Sequence, residues 1–482
     1  MYIFVIFPYL FCLYGVVETC RGTSLRRHVL SVVYRRACFV VHAPKPKTHS
    51  PLLYILSILR TYYIFRKSSQ YIENFFVSLQ KLSTMNRIDR PLYTQRIMSL
   101  LGRGEAIVLT GHRRAGKSCV LECMKTLLAG NGNNVLYLDM ENPDNAAITS
   151  FEHLNTWIKE NIVEGRHTYL LIDEVQEIAG FEKTLRYWVK QDNVDIVVTG
   201  SNAMMLSSDI ANAFAGRYMR VHIHSLCYSE YLMFNGMQSS PKALLSYLQW
   251  GGMPFLTNID TNDVRSRNDY LGSIYDTIFV KDMVSRRSIR NVGMVDNLAR
   301  FIADNTGKPF SASSIARYLK GKDTAASANT IADYIDGLCD TYMIDRVRRY
   351  DIKGKKLFEQ QDKYYFEDIG LRNYLCRDKR LVDIEKVLEN AVYLKLCQRG
   401  CEVYVGQMDG KEIDFVARRG SEVEYYQVAL YITNPETYQR EFGNLKKIND
   451  NYPKYVITMD TMASLINDDG IKVVSAEEFL NS

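Results

Sequence analysis

Between positions 106 and 224 the chain alternates short, unbroken apolar runs with longer stretches of helical periodicity. The apolar runs are Ala106–Thr110, Asn134–Asp139, Tyr169–Asp173, Val194–Thr199 and Met219–His224. A run without polar alternation is what a strand buried on both faces of a parallel sheet requires. Five such strands separated by helical segments predict an α/β domain of three layers, with any ligand at the C-terminal strand ends.

The pattern changes after position 225. Residues 226–309 read as helical, broken at Gly251-Gly252-Met253-Pro254, a turn or helix stop, and a lid over the upstream domain is expected there. Residues 310–370 predict a winged helix-turn-helix: a helix over Ser311–Leu319, a second over Ser327–Cys339, then two hairpin-like strands around Met343–Tyr350 and Leu357–Phe366. The second helix carries Asp333, Asp336 and Asp340, which would repel phosphate, so DNA is only weakly supported as a partner. Residues 380–482 show a helix, three strands, a helix and a strand.

The strand at Ala106–Thr110 runs into Gly111-His112-Arg113-Arg114-Ala115-Gly116-Lys117-Ser118, the spacing of a phosphate-binding loop. Gly111 and Gly116 allow the backbone to fold into a nest of N–H groups facing phosphate oxygens. Lys117 supplies a point charge to the β- and γ-phosphates, and the Ser118 hydroxyl can ligate Mg²⁺. The helix-forming stretch from Cys119 to Leu128 directs its positive end toward the same place. The whole loop through Cys119 is therefore the expected ATP contact.

A second motif lies at the right distance. The run Tyr169-Leu170-Leu171-Ile172 ends in Asp173-Glu174. Asp173 is placed to hold Mg²⁺, directly or through water, and Glu174 to polarise an attacking water as general base. Ser201 or Asn202, at the tip after Thr199, would contact the γ-phosphate or that water. Arg217, after Gly216, is an arginine-finger candidate acting on a neighbouring copy, with a surface turn-capping role equally open.

Composition bounds the rest. The 482 residues suffice for about three domains, and 47% hydrophobic with 24% charged residues is ordinary for a folded soluble protein. The net charge of +6 is uneven: residues 1–84 hold 11 Lys/Arg against 2 Asp/Glu, leaving 49 against 52 for the remainder. The main body is thus not a basic nucleic-acid binder by composition. Ten scattered cysteines, without Cys-x-x-Cys or a Cys/His cluster, suit reduced thiols and a cytoplasmic location. Residues 1–84 match nothing that follows. Their Tyr2–Val17 stretch is shorter than the roughly 20 residues of a spanning helix. An upstream extension is favoured over an anchor, with Met85 a natural start, and a membrane is not expected as a partner.

These features together resemble the bacterial and archaeal AAA-type ATPases that carry a C-terminal domain of unknown function. The resemblance rests on Gly111–Ser118, Leu170–Gln176, Thr199–Asn202, Gly216-Arg217, Gly251–Pro254, Glu389-Asn390 and Glu412–Val416, and covers residues 86–482. It implies a P-loop NTPase core of the AAA type over 85–225, followed by the helical lid, the winged helix and an endonuclease-like domain over 380–482. In that last domain Glu389, Asp414 and Gln427 occupy acidic motif positions, but Ala429 stands where the motif has Lys. Active cleavage is therefore not expected. The expected function is a Mg²⁺-dependent ATPase whose turnover rearranges its C-terminal domains or a partner. A slow nucleotide switch and a DNA-associated ATPase are the alternatives, with a homo-oligomer and a protein partner left open.

Overall fold

Five strands build the first sheet: β1 (Ala106–Thr110), β2 (Asn134–Asp139), β3 (Thr168–Asp173), β4 (Val194–Thr199) and β5 (Tyr218–His222). Their order is β2-β3-β4-β1-β5 and every pairing is parallel. Side chains alternate across a strand, so each apolar run divides between two cores. Ile107 and Leu109 pack with Val120, Leu121, Met124 and Leu128 of helix α2 (Lys117–Ala129). Ala106 and Val108 pack on the other side with Leu154 and Ile158 of α3 (Phe151–Asn161). The result is the three-layer α/β core expected from the pattern. Helix α1 (Pro91–Leu100) adds Tyr93, Ile97 and Leu100 to the first of these cores.

This is a computed structural model, and it describes residues 89–130, 132–200, 216–284, 289, 291–320, 326–357, 361–376, 383–432, 434–460, 467–468 and 470–482. The N-terminal unit Met1–Asn86 lies outside them, as does the expected extension over 1–84. So does the tip carrying Ser201 and Asn202. Among the described residues no helix is long and apolar enough to cross a membrane.

Helices follow the core as expected: Tyr228–Asn235, Pro241–Trp250, Val264–Asp276 continuing into a π-helical turn at Thr277–Val284, and Val292–Asp304. The break at Gly251-Gly252 is more than a turn. A Cβ on Gly252 would lie 2.1 Å from the carbonyl oxygen of Leu226, and one on Gly251 would lie 2.3 Å from the amide of Gly370. Backbone meets backbone there on both sides, and only glycine fits.

The region expected to form a winged helix departs from that expectation in its strands. The two helices are present at Ala312–Lys320 and Ala328–Asp340. The first predicted strand, however, splits after Val347. Its inner part, β6 (Ile344–Val347), pairs antiparallel with β9 (Lys363–Phe366). Its outer part, β7 (Arg349–Asp351), turns away with β8 (Lys356–Leu357) and pairs in parallel with β10 (Glu402–Met408). The intended wing is thereby an edge of the C-terminal sheet. Pairing to β10 satisfies backbone groups that a free hairpin would leave to solvent.

That C-terminal sheet has eight strands in the order β14-β15-β13-β12-β11-β10-β7-β8, with β11 at Lys411–Arg419, β12 at Glu422–Ala429, β13 at Lys454–Thr458, β14 at Asn467–Asp468 and β15 at Ile471–Ser475. Helix Ile384–Gln398 covers one face and Pro435–Lys446 the other. The β14–β15 hairpin and a final helix, Ala476–Asn481, were not anticipated.

Candidate functional site

Strand order explains how the two motifs meet. β4 lies between β1 and β3, so the loop after β1 and the acids after β3 end on one edge, about 10 Å apart across two strand spacings. Gly111 (φ 135°) and Gly116 (φ 101°) both adopt backbone angles that L side chains avoid. At Gly111 the constraint is also steric, since a Cβ would lie 2.2 Å from the Ile223 carbonyl oxygen. Gly116 caps α2 in the left-handed conformation. Arg114, exposed, shares that unusual backbone region (φ 61°).

Lys117 is buried and its Nζ donates to the carbonyls of Gly111 and His112, each at 2.9 Å. Burial lowers its pKa to about 8, opposed by the nearby charges of Glu174 and Asp173. Asp173 is buried, which pushes its carboxyl up against hydrogen bonds from Thr199 and Ser118. Thr199, at the end of β4, joins the two acids: its hydroxyl donates to Asp173 Oδ1 and accepts from the Glu174 amide at 2.8 Å. Glu174 has left-handed backbone angles (φ 51°) and its carboxylate accepts from Gln176 Nε2.

The geometry thus brings Gly111–Ser118, Asp173 and Glu174 to one edge. Ser118 and Cys119 are exposed on the first turn of α2, and Cys119 is not in a disulfide. Asn202 lies outside the described residues. Arg217 is not brought to this edge. It is exposed, precedes the first residue of β5, and accepts from the Ala106 amide at 3.1 Å, at the opposite end of β1 from Gly111.

Several partners of the loop escaped the sequence reading: Arg90, Glu230, Asp282 and Ser225. Arg90 is 3% exposed. Its Nε and Nη2 donate to Glu230 at 2.8 and 2.7 Å, and its Nη1 donates to the Ala115 carbonyl at 2.9 Å. Arg113 holds Asp282 of the π-helical turn through a fork of 2.5 and 2.9 Å, and that carboxylate raises its pKa. Buried His112 bonds Ser225 Oγ through Nε2 at 2.8 Å, and burial lowers its pKa to about 4. Only Thr199 was signalled locally, as a hydroxyl at the end of the strand flanked by both motif strands. Arg90–Glu230 and Arg113–Asp282 span 140 and 169 residues, and no local pattern announces them.

The second candidate cluster sits in the C-terminal sheet. The Asp414 amide donates to Gln427 Oε1 at 3.4 Å, and Val428 donates to Asp414 Oδ2 at 2.8 Å. Ala429 leaves no amine on β12, yet Lys363 of β9 brings one from the two-stranded β6–β9 sheet. Its Nζ lies 3.0 Å from Glu389 Oε1 and 2.7 Å from Glu412 Oε1, and it is 2% exposed. Burial opposes its charge, but the surrounding carboxylates prevail and raise its pKa.

Comparisons with known proteins bear on the family. An AAA-domain family profile matches residues 103–232, and a profile for a domain of unknown function matches 241–381. An uncharacterised protein of Haemophilus influenzae is 32% identical over 401 residues, covering 82% of this chain and 98% of that protein. An uncharacterised protein of Methanocaldococcus jannaschii is 26% identical over 392 residues, with 77% and 84% covered. A solved Walker-type ATPase of Pyrococcus abyssi aligns with 60% of this chain and 97% of its own, at 16% identity and a TM-score of 0.43. With its parallel sheet, its glycine loop and a relative matched along nearly its whole length, the chain belongs to the AAA-type ATPases shared by bacteria and archaea.

Proposed function

We propose that the chain binds ATP with Mg²⁺ at the edge formed by β1, β3 and β4 and hydrolyses it. The observation that carries this reading is the junction at Thr199, which ties Asp173 and Glu174 together beside the loop that holds Lys117. The residues suit the ligand. The loop conformation depends on two glycines at positive φ, and a buried ammonium beside two carboxylates suits a triphosphate with a divalent ion. Lys117 and the loop amides would hold the phosphates, while Ser118 and Asp173 would hold Mg²⁺. Bound Mg²⁺ would neutralise phosphate charge. Glu174 would accept the proton of the attacking water, its backbone fixed by the Thr199 hydroxyl.

Two contacts support coupling of the site to the rest of the chain. Arg113 within the loop grips Asp282 of the lid, and Arg90 under the loop grips Glu230. A change in the loop on binding or turnover would reach the helices through these pairs. Arg217, far from its own loop, suits a finger acting on a second copy. The test is MgATP binding by equilibrium dialysis. Wild type is expected to bind one ATP per chain, and Lys117→Ala to lose at least tenfold in affinity. Undiminished binding by Lys117→Ala would remove the phosphate-loop assignment.

A further inference from the structure

The ends of β5 and β9 meet in a cluster that the nucleotide chemistry does not use. Glu367 follows β9, is buried, and presents one carboxylate oxygen to each of two imidazoles. His222 Nε2 lies 2.8 Å from Oε1 and His224 Nδ1 lies 2.8 Å from Oε2. One ligand atom from each residue falls within 4.8 Å of the other two. His222 and His224 stand two apart in sequence, and their rings meet edge to face at 4.4 Å. We propose that His222 Nε2, His224 Nδ1 and Glu367 form a binding site for a divalent transition-metal ion of the zinc class.

Three features go beyond a chance ion pair. The donor set, two imidazole nitrogens and one carboxylate, is one that holds Zn²⁺ with a fourth position left for water or another oxygen. Tetrahedral ligands at about 2.0–2.1 Å stand roughly 3.3 Å apart, so three ligand atoms that lie within 4.8 Å of one another need adjust by no more than about 1.5 Å. Second, His222 is already oriented from behind, because its Nδ1 lies 3.1 Å from Thr110 Oγ1. Outer hydrogen bonds of this kind fix the ring and its tautomer in metal sites. To ligate through Nε2, His222 would carry its proton on Nδ1 and donate it to Thr110, and His224 would carry its proton on Nε2, leaving the Nε2 and Nδ1 lone pairs for the ion. Third, a second carboxylate, Asp345 of β6, lies against Glu367 and accepts from Tyr393 at 2.9 Å. Asp345 thereby stands behind the Glu367 carboxylate as an outer partner that fixes its orientation.

The position gives the ion a consequence. Thr110 pairs with His222 across the sheet and immediately precedes Gly111 of the phosphate loop. Glu367 and Asp345 belong to the segment beyond the helical lid. A bound ion would pin that segment to the foot of the loop.

The test uses the full chain, stripped with a chelator and titrated with Co²⁺ and then Zn²⁺. Wild type is expected to take up one ion per chain, with the visible d–d absorption of a nitrogen–oxygen ligand set and no thiolate charge-transfer band. Glu367→Gln and His222→Gln are each expected to lower affinity more than tenfold. Thr110→Val, which touches no ligand atom of the ion and preserves side-chain shape, should lower it about tenfold. Absence of saturable binding by wild type overturns the proposal without reference to any variant. So does a thiolate band, which would place the ion on cysteines, or undiminished binding by a folded Glu367→Gln chain.

Discussion

Arg90 and Glu230 form a buried two-point ion pair, 140 residues apart in sequence, and the same guanidinium holds the Ala115 carbonyl of the phosphate loop. The loop is therefore built from below by a residue that precedes the first strand and by one that follows the last. Breaking a buried pair by removing one charge leaves the other without compensation, at a cost of about 3–5 kcal/mol. Glu230→Gln is expected to lose stability in that range in urea unfolding at neutral pH and to weaken ATP binding with it. A loss below about 1 kcal/mol would mean that Arg90 finds water or another acceptor.

The Arg113–Asp282 fork leads to a different expectation. Asp282 is a buried negative charge close to the place proposed for a triphosphate, and it occupies an arginine that could face phosphate. Removing one unit of charge at such range is worth about 1 kcal/mol. Asp282→Asn should therefore tighten MgATP binding roughly fivefold, read by calorimetry. Weaker binding would show instead that the fork positions the loop and does not compete with the ligand.

His112 makes the loop acid-sensitive. Burial holds its pKa near 4, against an ordinary value of 6.5. Between these values the unfolded chain takes up a proton that the folded chain refuses, so folding loses stability as pH falls through that window. The full effect is about 3 kcal/mol. The stability difference between wild type and His112→Gln should accordingly shift in the variant's favour from pH 7 to pH 4.5, measured by denaturant titration. A pH-independent difference would contradict the burial argument.

Two glycines give opposite expectations for the same substitution. A Cβ on Gly252 would meet the Leu226 backbone at 2.1 Å, whereas one on Gly293, in the first turn of its helix, meets nothing within 4 Å. Gly252→Ala should cost more than about 2 kcal/mol or prevent folding. Gly293→Ala should raise stability by up to about 1 kcal/mol through helix propensity. Thermal unfolding of the two variants compares them directly.

The core strands were legible because each is an apolar run, and both motifs were legible because their chemistry is local to eight residues and to two. What the sequence hid is the cross-linking. Glu230 and Asp282 look like ordinary helix residues until the fold brings them to Arg90 and Arg113. The wing was misread for a related reason. Residues 343–350 have one extended pattern, but two different partners compete for it, and β10 lies more than 50 residues further on. Lys363 illustrates the same limit. Ala429 leaves no lysine on its strand, while the amine beside Glu389 comes from another element. His222 and His224 drew no notice in the sequence, because Glu367, which unites them, is 143 residues beyond the second.

The central claim is hydrolysis at the edge where Thr199 joins Asp173 and Glu174. Phosphate release from MgATP by the full chain, compared with Glu174→Gln, tests it most directly. The expected result is Mg²⁺-dependent turnover in wild type, and a variant that still binds ATP but releases phosphate at least a hundredfold more slowly. Equal rates from the two proteins, or no turnover by a wild-type chain that binds ATP stoichiometrically, would contradict the assignment of Glu174 and of ATP hydrolysis to this site.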